Sequence, residues 1–132
     1  MVSNDTVLRI ARMTDNWAAV SQMYREALGF ESLVQFEDEH GYDGIVLGHK
    51  EHNYHLEFTS HQGAQLKQQV ADSFLVFFIA DTRKWEWTCR AMIAAGFTYV
   101  DARNPYWNCV GKTFEDLDGY RVVIQNREFS YS

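Results

Sequence analysis

The sequence predicts an α+β fold made of two copies of a βαβββ module, and three observations predict it. A β-prone run followed by helix-capping residues and an apolar helical stripe occurs twice. Both helices end on Gly-Phe, Gly29-Phe30 and Gly96-Phe97, a spacing of about 67 residues. After each glycine come three strand-like segments separated by turn residues, so the chain reads as the same plan repeated. With 132 residues, 46% of them hydrophobic and 15% aromatic, there is material for one domain with a true core. One proline and the lack of a Ser/Gly-rich or charge-only stretch leave no linker. A single domain is therefore expected, with module one at about 6–60 and module two at about 73–126.

The first β-prone run is Val7 to Arg12. Thr14, Asp15 and Asn16 offer side-chain oxygens that accept from the free N–H groups of a helix start, ahead of a stripe at Trp17, Val20, Tyr24, Ala27 and Leu28. Gly29 stands where a left-handed residue ends a helix, and Phe30 folds back on it. Strands follow at Ser32 to Glu37, Gly44 to Gly48 and Tyr54 to Thr59, with turns at His40-Gly41 and between Gly48 and Asn53. The second copy begins with Phe74 to Ala80, the caps Asp81 and Thr82, and a stripe at Trp85, Cys89, Met92 and Ile93. Its strands are Thr98 to Asp101, Lys112 to Glu115 and Tyr120 to Gln125, the last two joined by the hairpin-type pair Asp118-Gly119.

Alternation along the strands assigns their faces. Tyr54, Leu56 and Phe58 belong under a helix, which puts His55, Glu57 and Thr59 on the opposite face. In the last strand Tyr120, Val122 and Ile124 oppose Arg121, Val123 and Gln125. Counting from the Gly-Phe markers aligns Val123 closely with Glu57, within one residue. A helix covers only one face of each curved sheet, so the fold predicts a central cavity lined by the other faces, closed by the second module or by that of another copy. Tyr106 and Trp107, in the loop from Asn104 to Cys109, are aromatic candidates for its mouth.

Composition excludes several classes. A formal charge of −6, with basic residues scattered singly, gives no cluster to displace counterions from a nucleic acid. No apolar run approaches the roughly 20 residues that span a bilayer, and Met1 to Thr6 lacks the apolar segment of a signal peptide, so no membrane partner is expected. Cys89 and Cys109 form no closely spaced pair, and a cytoplasmic, reducing location is expected, with Cys89 as core filler. No Ser-His-Asp set, phosphate-binding glycine loop or dinucleotide fingerprint is present.

Leu28-Gly29-Phe30, the strand His55-Leu56-Glu57-Phe58-Thr59, and Phe114-Glu115-Asp116-Leu117-Asp118-Gly119-Tyr120 resemble the glyoxalase, bleomycin-resistance and extradiol-dioxygenase superfamily, the vicinal oxygen chelate proteins. The resemblance covers nearly the whole chain and implies a glyoxalase-like fold, a small-molecule ligand and a homodimer. It also implies a divalent metal held by four inward residues, one from the first and last strand of each module. Glu57 matches the second of these positions. The first falls on Arg9, or on Leu8 if the register slides by one; the third falls on Leu75 or Phe77; the fourth falls on Val123.

Three of these four positions lack a donor suited to a metal, so no metal cofactor is expected and the isomerase and dioxygenase mechanisms lose their basis. The Arg9 register instead lets a guanidinium replace the ion as the partner of Glu57. The leading expectation is a metal-free protein that binds a small organic molecule through Arg9, His55, Glu57, Tyr106 and Trp107. A glyoxalase-like lyase or dioxygenase-type enzyme with a displaced metal, held by Glu57 and His55 with His40, His49, His52 or His61, is the first alternative. A structural domain whose cavity is filled by Leu75, Phe77 and Val123 is the second.

Overall fold

A computed structural model describes residues 1–62 and 73–129. The strands and helices run in the order β1 (Leu8–Met13), α1 (Trp17–Leu28), β2 (Glu31–Glu39), β3 (Tyr42–Gly48), β4 (Tyr54–His61), β5 (Phe74–Phe78), α2 (Thr82–Ala94), β6 (Thr98–Val100), β7 (Gly111–Glu115) and β8 (Arg121–Gln125). A short 3₁₀ turn, Pro105–Asn108, precedes β7. The expected segments match these within two residues at each end. They form two compact units, each with one helix and one four-stranded mixed sheet, in the orders β1-β4-β3-β2 and β5-β8-β7-β6. In each, the first strand pairs parallel with the last, and the other pairs are antiparallel. The predicted α+β fold of two βαβββ modules is what the chain adopts.

Of the three candidate caps before α1, Asn16 is the one used: its Oδ1 accepts from Ala19 N at 3.1 Å, while Thr14 Oγ1 accepts from Asn16 N. Gly29, at φ 76, ends the helix by donating its N–H to Arg25 O at 2.9 Å. In α2 the cap is Asp81, which accepts from Lys84 N at 2.9 Å. There Gly96 turns left-handed at φ 102 after Ala95, and Gly96 N and Phe97 N donate to Ile93 O and Met92 O. The two Gly-Phe signals therefore close their helices by different hydrogen-bond patterns, the single bond in α1 and the paired bonds in α2.

The stripes pack as their spacing requires. In the first unit Val20 and Tyr24 are buried, as are Leu47, Leu56 and Phe58, and the Tyr24 and Phe58 rings meet at 4.9 Å. In the second, Cys89 and Met92 are buried with Phe114, Val122 and Ile124, and Trp85 Nε1 donates to Ile124 O at 2.9 Å. Trp87, two residues along, is 62% exposed, so the pair does face apart. The His40-Gly41 turn has φ 55 and 87, the left-handed pair that matches strand twist. At the β7–β8 turn Asp116 Oδ1 accepts from Asp118 N and Tyr120 N, and Gly119 takes φ 87. Among the described residues no helix is long and apolar enough to cross a membrane.

One expectation is corrected. Leu75 pairs with Val122 and Phe77 with Ile124, whereas Val76 pairs with Val123. Residues side by side in a sheet share a face, so Leu75 and Phe77 belong with the helix-covered set. Neither stands at the third metal position nor fills a cavity beside Val123: Phe74, which pairs with Arg121 as Arg9 pairs with His55, is the second unit's equivalent of Arg9, and Val76 is the residue beside Val123.

Candidate functional site

In the first unit the parallel register sets Arg9 beside His55 and Ala11 beside Glu57, which fixes the register at Arg9 rather than Leu8. Arg9 Nη1 reaches Glu57 Oε1 at 3.3 Å, one step diagonally across the strands. Thr59, on the same face and 6% exposed, donates its hydroxyl to Glu57 Oε2 at 2.8 Å. Both carboxylate oxygens are therefore engaged, one by a cation and one by a hydroxyl. The Arg9 side chain is 47% exposed, and among its five donors only the one on Glu57 is committed within the described residues. His55 lies over Gly48, its partner on β3, and its Nδ1 is shielded from solvent without a hydrogen-bond partner among the described residues.

The second unit carries different chemistry on the corresponding face. Thr113 pairs with Val123 and Gly111 with Gln125. Gln125 is fully buried, and among the described residues neither atom of its amide has a partner; Thr113 is 1% exposed, and its hydroxyl has none there either. Beside them is a cavity of about 220 Å³ walled by Phe74, Trp107, Arg103, Arg121, Thr113 and Val123. The Trp107 ring meets Phe74 edge-on at 5.5 Å, held by the 3₁₀ turn in which Asn104 Oδ1 accepts from Tyr106 N at 3.0 Å.

The sequence-predicted residues thus fall into two groups. Arg9, His55 and Glu57 share one sheet face in the first unit. Trp107 walls the cavity of the second unit, while Tyr106 is half exposed beside it, its hydroxyl accepting from Arg127 Nη1 at 3.3 Å. The alternation that singled out Glu57 also pointed to Thr59, Arg121 and Gln125, but Thr113 and Arg103 carry no signal of their own in the sequence. His49 and His52 meet at 4.8 Å, His52 stacks on Tyr54, and His61 packs on Tyr42. Among the described residues no contact joins His55 to another histidine, and no three His, Cys, Asp or Glu side chains converge to hold a metal.

Comparison with known proteins places the chain. A YycE-like N-terminal domain matches residues 8–59, and a YycE-like C-terminal domain matches residues 72–126. The chain belongs to the YycE-like family. It is 34% identical over 120 residues to the uncharacterized protein YycE of Bacillus subtilis, a match covering 90% of this chain and 86% of that one. The crystal structure of a YycE protein of unknown function from B. subtilis superposes with a TM-score of 0.87 at 32% identity, covering 97% of this chain and 94% of that one. More distant structures share the fold alone. They include the trypanothione-dependent glyoxalase I of Leishmania major (TM-score 0.69, 17% identity, 92% and 86% covered) and the fosfomycin resistance protein FosX of Mesorhizobium loti (0.68, 8%, 96% and 93%). The YycE-like family thus sits within the glyoxalase-type, vicinal oxygen chelate superfamily.

That superfamily implies a divalent metal, and the residues of this YycE-like chain do not fit one. Arg9 repels a cation at the first position, Glu57 is already paired through both oxygens, and Phe74 and Val123 offer only hydrocarbon at the other two. A transition ion needs at least three nitrogen, oxygen or sulfur donors at one point.

Proposed function

We propose that this YycE-like protein binds small organic molecules without a resident metal ion, with Arg9, His55 and Glu57 as the candidate contacts of its first unit and Tyr106 and Trp107 as those of its second. The observation that carries the reading is the Arg9–Glu57 pair, 3.3 Å apart where the superfamily sets a metal and its carboxylate ligand. A guanidinium there neutralises Glu57 and keeps planar N–H donors for an acidic or carbonyl oxygen of a ligand. His55, whose Nδ1 lacks a partner, adds a further polar contact. The B. subtilis YycE relative is uncharacterized and names no substrate, while FosX is a fosfomycin resistance protein; sequestration of a small molecule is the activity this reading favours.

The same proposal places the protein in the cytoplasm, in keeping with two free thiols, and as a homodimer, in keeping with the exposed apolar residues Leu8 and Ile10 on the edge strand β1. Intrinsic tryptophan fluorescence, titrated with 2-naphthoate and 2-naphthaldehyde before and after exhaustive chelation, tests the function. Saturable binding that survives chelation and weakens about tenfold in Arg9→Met supports it, the size expected of one hydrogen bond from a charged donor. No saturable binding of either probe, or binding that returns only with added metal, overturns it.

A further inference from the structure

The geometry of the second unit points to the chemical class of the ligand: a flat one- or two-ring organic acid, its carboxylate held by Arg121 and Thr113 and its ring laid against Trp107 and Phe74. This rests on the small-molecule reading above and adds to it a subsite and a charge preference.

Charge comes first. Arg103 and Arg121 both line the cavity, and among the described residues no carboxylate does, in a chain whose formal charge is −6. Such a local reversal of sign draws anions to one place on an otherwise repelling protein. Arg121 is poorly neutralised: its Nε stands 3.7 Å from Glu115 Oε2, its Nη1 donates to Asp101 O at 3.3 Å, and its Nη2 has no partner among the described residues. A carboxylate accepting from the free edge of that guanidinium completes its fork.

The Thr113 hydroxyl supplies a second donor. It is buried, lines the cavity and is unpaired among the described residues, so it carries a desolvation cost that a ligand oxygen would remove. Thr113 pairs with Val123, which gives the cavity a hydrocarbon floor beside that donor. The walls then set the shape. Trp107 and Phe74 stand 81° apart with centroids at 5.5 Å, a corner that accepts a ring against one face and its edge against the other. A volume of about 220 Å³ falls below the roughly 300–1,000 Å³ of drug-sized pockets, which restricts the occupant to one or two rings.

Isothermal titration of the full chain with three probes of matched shape, 2-naphthoate, 2-naphthaldehyde and 2-methylnaphthalene, tests this. The acid is expected to bind at least about tenfold tighter than the neutral probes. That preference should shrink to a few-fold or less in Arg121→Met and in Thr113→Val, the second being nearly isosteric and safe for the fold. Equal affinity for acid and hydrocarbon, or an acid preference untouched by Thr113→Val, overturns the inference and leaves the small-molecule reading standing. Failure of all three probes to bind overturns both.

Discussion

Replacing Gln125 with methionine is expected to stabilise the protein, an unusual outcome for a change at a fully buried position. The side chain has no exposure, and both Nε2 and Oε1 lack partners among the described residues. Leaving a buried polar group unpaired costs about 1–3 kcal/mol, and two such atoms on one amide bracket a similar range once local relaxation is allowed. Methionine fills nearly the same volume with flexible apolar atoms, so little packing is lost. The expected gain is therefore about 1–3 kcal/mol, which corresponds to about 4 °C in Tm per kcal/mol for a chain of this size. Urea unfolding followed by tryptophan fluorescence reads it as a higher midpoint at unchanged slope. A loss of more than about 1 kcal/mol would show that the amide has partners in solution and would refute the reasoning. A gain would mark Gln125 as a polar group retained against stability, on the sheet face that also carries Thr113 and Val123.

Gly111→Ala should cost about 1–3 kcal/mol, because a Cβ there would overlap Gln125 Oε1 and lie 2.8 Å from the backbone oxygen of Ile124; pairing it with Gln125→Ala should recover only the side-chain part. Trp85→Phe removes the indole bond to Ile124 O and should cost about 1 kcal/mol in the same assay, with little effect on probe binding. Burial raises the Cys89 thiol above its ordinary 9.0 and the Tyr54 hydroxyl above its ordinary 10.0. Both groups hold their protons longer in the folded chain, so their contribution to stability is constant at neutral pH and is lost as pH rises through 9 and 10. Urea midpoints measured across that range should fall less steeply in Cys89→Ala and in Tyr54→Phe. A thiol reagent on the native protein should label exposed Cys109 first and reach buried Cys89 only on unfolding; comparable rates would contradict the packing of α2.

Much of the architecture was readable because it is written in local chemistry. Asp81 caps, the Gly-Phe closures and the alternation through Tyr54 to Thr59 each act within a few residues, and the structure uses all of them. Arg9 was readable as a neighbour of Glu57 only through the superfamily's ligand positions, with Leu8 open as the alternative, and the parallel register of β1 on β4 decides it. The face of β5 was not. Phe74 to Phe78 is apolar throughout, so no alternation tells Leu75 and Phe77 from Val76, and only the register against β8 decides it. The second cavity was hidden for a different reason. Arg103, Thr113 and Arg121 come from three separate segments, and their shared site depends on the fold rather than on any spacing. That Gln125 and Thr113 lack partners likewise depends on what surrounds them once the chain is folded.

Elemental analysis of protein purified without chelators, read together with turnover of a glutathione hemithioacetal, bears most directly on the metal-free reading. Far less than one transition-metal ion per chain, with no turnover gained on adding nickel or zinc, is the predicted result. One tightly held ion per chain, whose removal abolishes turnover or probe binding, would contradict it.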